Sequence, residues 1–156
     1  MARKTAEERF NEKTQPMSNG CTKWAARIAP NGYGTFWSGQ KTVYAHRFAY
    51  ELSNGPIPSG LVIDHKCHNR ACVNPHHLRA ITQKQNIENQ GVLKSDNSSG
   101  YRGVSWSKRS KKWWAYLDHH GKRIHVGFFP TVEAANEAVV EARNNTFTHN
   151  DLDRAS

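Results

Sequence analysis

The sequence predicts an α+β chain of two small modules, and three observations lead to this prediction. Two of the three cysteines and five of the nine histidines fall between positions 46 and 77. The stretch Gly91–Gly100 is rich in Gly, Ser and Asn, as linkers are. The residues after it are dense in Trp, Lys and Arg and contain no cysteine. We therefore expect modules at residues 1–90 and 101–147, a linker at 91–100 and a polar tail at 148–156.

Short elements with clear boundaries fill the first module. Thr5 and Glu8 form a capping-box pair, which predicts a short helix. Strand-like runs separated by Asn-Gly and Ser-Gly turns occur at Thr22–Ile28, Tyr33–Trp37 and Lys41–Tyr44. The rest of the module is predicted as a helix at Ala45–Leu52, a buried strand at Leu61–Ile63 that ends at Asp64 and His65, and a helix at Thr82–Asn89.

The charge and hydropathy of the chain exclude whole classes of protein. There are 22 Lys and Arg against 13 Asp and Glu, a formal charge of +9. An excess of this kind, spread along the chain, favours a polyanionic partner. No apolar run approaches the roughly 20 residues of a membrane span, and the N-terminal residues lack the apolar core of a secretory signal. We expect a cytoplasmic protein with no membrane contact.

The spacing of cysteine and histidine indicates a metal site. Cys67, Cys72 and His77 are five residues apart, which suits a loop wrapped around an ion. A structural zinc needs four N or S ligands, and Cys21 is the one thiol left in the chain. The sequence thus predicts a structural zinc bound by Cys21, Cys67, Cys72 and His77. His68 and His76 remain alternatives for Cys21 or His77.

A second, oxygen-rich site is predicted at the end of the buried strand. Asp64 and Asn86 offer oxygen ligands, which suit a hard divalent cation such as magnesium. His65 has a pKa near neutrality and can take a proton from water. Together they place a base beside a metal.

The residues from Gly32 to Asn89 resemble the HNH, or ββα-metal, nucleases, and in particular the phage and intron homing endonucleases that carry a zinc loop. The matching text is GYGTF, AHRFAYEL, GPIP, DHKCHNRACVNPHHL and TQKQN. The resemblance implies a zinc-stabilised ββα-metal fold in which His65 activates the attacking water. It also implies that Asp64 and Asn86 bind one catalytic ion, magnesium or manganese.

Two further residues near this pattern are Asn74 and Arg47. The middle Asn of the family usually precedes a Leu, and here His77-Leu78 occupies that place. We interpret the nearby Asn74 as a residue that stabilises the loop. Arg47 is a candidate catalytic residue that could clamp a phosphate, and a salt bridge at the core edge is an equal alternative.

The second module has the pattern of a three-stranded sheet and one helix. Strands are predicted at Tyr101–Trp106, Lys112–Asp118 and Lys122–Phe128, and Thr131 caps a helix that runs through Asn144. One face of the sheet is apolar, with Val104, Trp113, Ala115, Leu117, Ile124 and Val126. Alanines 134, 135, 138 and 142 let the helix pack closely on it. The opposite face carries Arg102, Trp114, Tyr116, Asp118, Arg123 and His125.

This module resembles the ERF-type (Apetala-two) DNA-binding domain. The matching text is YRGVSW, KWWAYL, GKRIHVGFF and TVEAANEAVVEA. The resemblance implies that the polar and aromatic face of the sheet contacts DNA. The basic turn suits phosphate contacts, with a solvated turn as the alternative; its residues are Lys108, Arg109, Lys111 and Lys112.

The combined pattern predicts a metal-dependent, site-specific DNA endonuclease of the HNH homing type that acts on double-stranded DNA as a monomer or homodimer. A non-catalytic DNA-binding regulator with the same fold is the alternative. A zinc-stabilised interaction module would leave the +9 charge and the exposed aromatic face unexplained. A degradative or packaging role would have the same sequence features as homing.

Overall fold

Short antiparallel hairpins make up the first half of the molecule. The computed structural model describes residues 3–91, 93 and 95–154. The chain divides into two compact units, Met1–Gln83 and Lys84–Ser156. Residues 1 and 2 of the predicted first module, 92 and 94 of the predicted linker, and 155 and 156 of the predicted tail lie outside the described residues.

Between residues 3 and 83, the first unit contains two α-helices and three two-stranded sheets. Its elements are α1 (Ala6–Asn11), β1 (Thr14–Pro16), β2 (Thr22–Trp24), β3 (Thr35–Trp37), β4 (Thr42–Tyr44), α2 (Ala45–Asn54), β5 (Leu61–His65), a 3₁₀ turn (Pro75–His77) and β6 (Leu78–Thr82). The pairs β1–β2, β3–β4 and β5–β6 are antiparallel. Helix α3 (Gln83–Glu88) begins at the boundary between the units.

The capping and stop signals predicted from the sequence are present. Thr5 Oγ1 accepts from the Glu8 amide, and the Glu8 carboxylate accepts from the Thr5 amide, so the capping box of α1 is confirmed. Helix α2 begins at Ala45 as predicted and ends two residues later than predicted, before Gly55. Gly55 has a φ of 79°, a left-handed conformation that glycine adopts without strain.

Two strands were not predicted, and both lack a clear alternating pattern. Strand β1 has the polar sequence TQP, and its pairing with β2 gives it its strand conformation. Strand β6 follows directly after His77 and has the sequence LRAIT, in which Ala80 is only partly buried. The predicted strand Thr22–Ile28 is also too long, because it ends at Trp24 and Ile28 instead forms an isolated bridge to Gly34.

An aromatic cluster forms the core of the first unit. Phe10 stacks on Trp24 with ring centroids 5.0 Å apart, and Phe36 meets both rings edge-on. The cluster links α1, β2 and β3, which are far too short to bury an apolar face separately. The remaining buried apolar residues of this core are Ala45, Ala49, Ile63, Val73 and Leu78.

The second unit contains the predicted three-stranded sheet and helix. Its further elements are β7 (Val104–Ser107), β8 (Lys112–His119), β9 (Lys122–Phe129), α4 (Val132–Thr146) and α5 (Asp151–Arg154). The strands are antiparallel in the order β7-β8-β9. Thr131 caps α4 through its hydroxyl, as predicted. The buried core residues are Val104, Ala115, Leu117, Ala135, Val139 and Phe147.

The hairpin between β8 and β9 is built by a tight turn and a bulge. His120 and Gly121 both have positive φ, 49° and 71°, as a type I′ turn requires. The register shifts between Ala115 and Tyr116, which leaves Val126 between the paired positions. Ile124, predicted on the buried face, is 41% exposed because it lies close to the turn. Of the predicted alanine stripe, Ala135 is fully buried.

The segments predicted as linker and tail are partly folded. Ser99 Oγ donates to the Val104 carbonyl at 2.7 Å, and Asn97 Nδ2 donates to the Tyr101 carbonyl at 2.9 Å. In the segment predicted as a polar tail, α5 carries Asp153, which forms a bidentate ion pair with the buried Arg143. Within the described part of the chain, no helix has the length and apolar character needed to cross a membrane.

Gly34 provides a test of the first core. A Cβ at this position would lie 2.7 Å from Cγ of the buried Trp24 and 3.1 Å from Cβ of Ala45. We expect Gly34→Ala to lower the free energy of unfolding by about 1–3 kcal/mol, because the indole is fixed by its aromatic neighbours. Chemical denaturation measures this change. Gln40→Ala, at an exposed bend, is the control, and equal stability of the two variants would contradict the packing described.

Candidate metal centre and active site

Four ligand groups converge in the first unit. The sulfur atoms of Cys21, Cys67 and Cys72 and a ring nitrogen of His77 all lie within 4.8 Å of one another. Nδ1 of His77 is 3.6 Å from Cys21 Sγ and 3.7 Å from Cys72 Sγ. The predicted alternatives His68 and His76 are exposed and are not part of this cluster.

Backbone hydrogen bonds fix the loop that carries three of these groups. The Trp24 amide donates to the Ala71 carbonyl at 2.8 Å, and the Val73 amide donates to the Thr22 carbonyl at 2.7 Å. Strand β2, which follows Cys21, is thereby joined to the segment around Cys72. Asn74 donates to the Gly20 carbonyl and caps the 3₁₀ turn that carries His77. These are the contacts of a residue that stabilises the loop.

The electrostatics of the cluster favour a bound cation. Burial raises the pKa of Cys67 to about 12 and also raises the pKa of Cys21. A divalent cation stabilises the thiolate form and offsets the loss of solvation. Three thiolates and one imidazole within tetrahedral reach are the donor set that zinc prefers. The cluster therefore fits zinc.

Asp64 and His65 form the end of β5, and both side chains are buried. Oδ2 of Asp64 accepts from Nε and Nη2 of Arg79, each at 2.9 Å, and the two residues are paired across β5 and β6. Nε2 of His65 lies 3.1 Å from the Cys72 carbonyl oxygen. A carbonyl can only accept, so Nε2 carries the proton and Nδ1 carries the lone pair. Burial lowers the pKa of His65 below its usual range.

Aromatic rings surround this imidazole. The ring centroid of His46 is 4.9 Å from that of His65, and the Tyr33 ring is within 6 Å of both. Burial lowers the pKa of His46 to about 3, and its Nδ1 has no hydrogen-bond partner among the described residues. Sequence reasoning assigned no role to His46 or Tyr33, although both lie in the quoted text GYGTF and AHRFAYEL.

The remaining predicted catalytic residues lie on helices. Arg47 is on α2 and is partly buried, and the alternative of a salt bridge is not seen because it pairs with no described carboxylate. Asn86 is on α3 and is also partly buried. By the division of the chain, Asn86 belongs to the second unit.

The exposed face of the second unit's sheet carries most of the predicted side chains, in mutual contact. Nε1 of Trp114 donates to Nδ1 of His125 at 2.7 Å, and the Trp114 and Tyr116 ring centroids are 4.6 Å apart. The Arg123 guanidinium lies 4.1 Å from the centre of the Tyr116 ring and forms a bidentate pair with Asp118. These residues, with the exposed Phe128, are called here the aromatic face.

Arg102 is not placed as the sequence predicted. It precedes β7, and its guanidinium donates to the carbonyls of Ile87, Glu88 and Gln90. Its side chain is therefore used within the second unit. The four predicted basic residues of the turn between β7 and β8 are all exposed: Lys108, Arg109, Lys111 and Lys112.

One protein-family model matches a segment that lies mostly in the first unit. Residues 43–87 match the family model of the HNH endonuclease. This range contains Asp64, His65 and three of the four clustered ligands. No comparison shows an ERF-type domain for the second unit, so that resemblance stays a prediction.

Several phage proteins are similar to this chain. "Protein 7.7" of Escherichia phage T7 is 39% identical over 80 residues, which are 51% of this chain and 61% of that protein. "Protein 2.8" of the same phage is 35% identical over 97 residues, 61% of this chain and 66% of that protein. The chain thus spans less than two thirds of the length of these relatives. No solved structure matches it.

The zinc assignment is tested by removing one ligand. We expect Cys67→Ser to reduce bound zinc well below one equivalent and to lower the unfolding temperature. In small zinc modules metal binding contributes about 10–16 kcal/mol, so the loss of one ligand is severe. Metal analysis and thermal unfolding measure the two effects. His76→Ala, outside the cluster, should retain zinc, and zinc loss in both variants or in neither would contradict the ligand set.

Proposed function

We propose that this protein is a metal-dependent DNA endonuclease in which His65 is the general base. The observation that carries the proposal is the hydrogen bond from Nε2 of His65 to the Cys72 carbonyl, which leaves Nδ1 as the proton acceptor. The family match over residues 43–87 supports the same reaction class.

Hydrolysis of a phosphodiester needs a deprotonated water and charge stabilisation at the leaving oxygen. Neutral His65 accepts the water proton at Nδ1, and the bond to the Cys72 carbonyl keeps the ring from turning. A hard divalent ion, magnesium or manganese, would supply Lewis acidity when bound by oxygen ligands. From the resemblance, we propose Asp64 and Asn86 as those ligands. Asp64 offers a carboxylate, and Arg79 holds it in position.

We propose double-stranded DNA as the substrate and the aromatic face as its principal binding surface. The chain has a charge of +9, and the described arginine and lysines of the β7–β8 turn are exposed. Arg123 is held by Asp118 and Tyr116, so binding would cost little side-chain entropy. Site-specific cleavage of the homing type would follow if this face reads bases.

A non-catalytic DNA-binding regulator is the second candidate. It is favoured by the ion pair between Arg79 and Asp64, because a carboxylate paired with arginine is a weaker metal ligand. Cleavage assays separate the two functions directly.

The catalytic role of His65 predicts a large loss of activity on substitution. We expect His65→Ala to lower single-turnover cleavage of plasmid DNA about 10²–10⁴-fold, the contribution typical of a general base. Asn86→Ala should also abolish magnesium-dependent cleavage without loss of zinc. Because the pKa of His65 is lowered and the base acts when neutral, the wild-type rate should fall only at a pH below the usual histidine range.

The control for this experiment is His68→Asn. His68 is an exposed histidine of the same loop with a φ of 55°, which asparagine tolerates. Zinc content and DNA affinity are measured alongside the rate. Wild-type cleavage by His65→Ala, or equal loss in His68→Asn, would contradict the assignment of the base.

The proposed role of the aromatic face in binding duplex DNA can be tested separately. We expect Trp114→Ala and Arg123→Ala to weaken duplex binding in the full-length protein, and Arg123→Ala to relax sequence preference by about 1–3 kcal/mol if it contacts a base edge. Binding titrations at several salt concentrations measure both effects. Lys41→Ala, which removes an exposed charge from the first unit, is the control. Unchanged affinity in both face variants would exclude this surface.

A further inference from the structure

The side chain of Arg70 contacts the turn formed by residues 31–33 of the first unit. Its Nη1 donates to the Asn31 carbonyl at 3.0 Å, and its guanidinium lies 5.5 Å from the centre of the Tyr33 ring. Between them, its Cδ would be 3.4 Å from a Cβ at Gly32, a close approach that glycine permits. Three consecutive residues thus contact the arginine side chain and fix its orientation.

The charge of this arginine is not neutralised within the described part of the chain. Arg70 is exposed and pairs with no described carboxylate. Arg79, Arg123 and Arg143 each form an ion pair with an aspartate. A guanidinium has five N–H donors, and the bond to Asn31 uses one of them. An oriented, exposed cation with spare donors is suited to bind an anion.

The position of Arg70 relates this cation to the proposed base. The Tyr33 ring that contacts Arg70 also lies 5.9 Å from the ring of His65. The loop from Cys67 to Cys72 contains Arg70 and also supplies the carbonyl that orients His65. The guanidinium and the imidazole are therefore held by the same loop and the same tyrosine.

We propose that Arg70 binds a phosphate of the nucleic acid beside His65, with Tyr33 and Asn31 as the residues that position it. This inference rests on the proposed nuclease function and adds a phosphate-binding residue to it. Guanidinium–phosphate contacts are charge-assisted and frequently bidentate, and they stabilise the extra negative charge of a phosphoryl transition state. The zinc-binding loop would then present both the base and the cation to one phosphodiester.

The test compares Arg70→Gln, Arg70→Lys and Arg27→Gln in the full-length, zinc-loaded protein. Arg27 is an exposed arginine of the same unit, and its substitution by Gln removes the same charge as Arg70→Gln. We expect Arg70→Gln to lower the single-turnover cleavage rate at saturating plasmid on the order of 100-fold, with zinc content and unfolding temperature unchanged. Arg70→Lys should recover part of the rate, and Arg27→Gln should cleave within about twofold of wild type.

A double-mutant cycle tests the role of Tyr33. If the ring acts through Arg70, Tyr33→Leu should slow cleavage, and Tyr33→Leu with Arg70→Gln should be no slower than Arg70→Gln alone. Active wild type with an equally active Arg70→Gln would overturn the inference and leave the nuclease function standing. A rate loss accompanied by zinc loss would also overturn it, because the role would then be structural. Absence of cleavage by wild type with magnesium or manganese would overturn both.

Discussion

The convergence of Cys21, Cys67, Cys72 and His77 is the constraint on which the first unit depends. Three two-stranded hairpins and two short helices bury little apolar surface, and domains this small usually need a metal or disulfides. The centre joins the start of β2 to the loop after β5. The same loop supplies the carbonyl that orients His65 and contains Arg70, so the stabilising site and the proposed chemical site share one backbone segment.

The first unit contains two kinds of buried or partly buried group that could bind a metal: the Cys/His cluster and the carboxylate of Asp64. Burial raises the pKa of the Cys67 and Cys21 thiols, so these two groups favour a cation that binds thiolates tightly. Asp64 offers carboxylate oxygens, which are ligands for a hard ion, and it is already paired with Arg79. His46 stays neutral, with a pKa of about 3, and packs against His65 without adding charge to the site. The thiol cluster and the carboxylate of Asp64 therefore favour cations of different chemistry.

Sequence reasoning succeeded where chemistry is local and failed where tertiary contacts decide. The clustering of three cysteines with a histidine was predictable because every cysteine could join one tetrahedral set, and the Thr5 capping box is encoded within four residues. Strand β6 was missed because only its pairing with β5 makes LRAIT extended. Arg102 was assigned to the aromatic face from alternation alone, whereas three carbonyls that precede it in the chain bind its guanidinium. Arg70 gave no sequence signal, since its partners lie at positions 31–33.

The most direct test of the central claim is X-ray absorption at the zinc edge of the purified full-length protein. We expect one zinc per chain with three sulfur neighbours at about 2.3 Å and one nitrogen at about 2.0 Å. This signal should persist when excess magnesium is added, because the hard ion does not compete for thiolates. A shell of oxygen and nitrogen ligands, or two sulfur atoms in place of three, would contradict the centre on which the fold and the orientation of His65 depend.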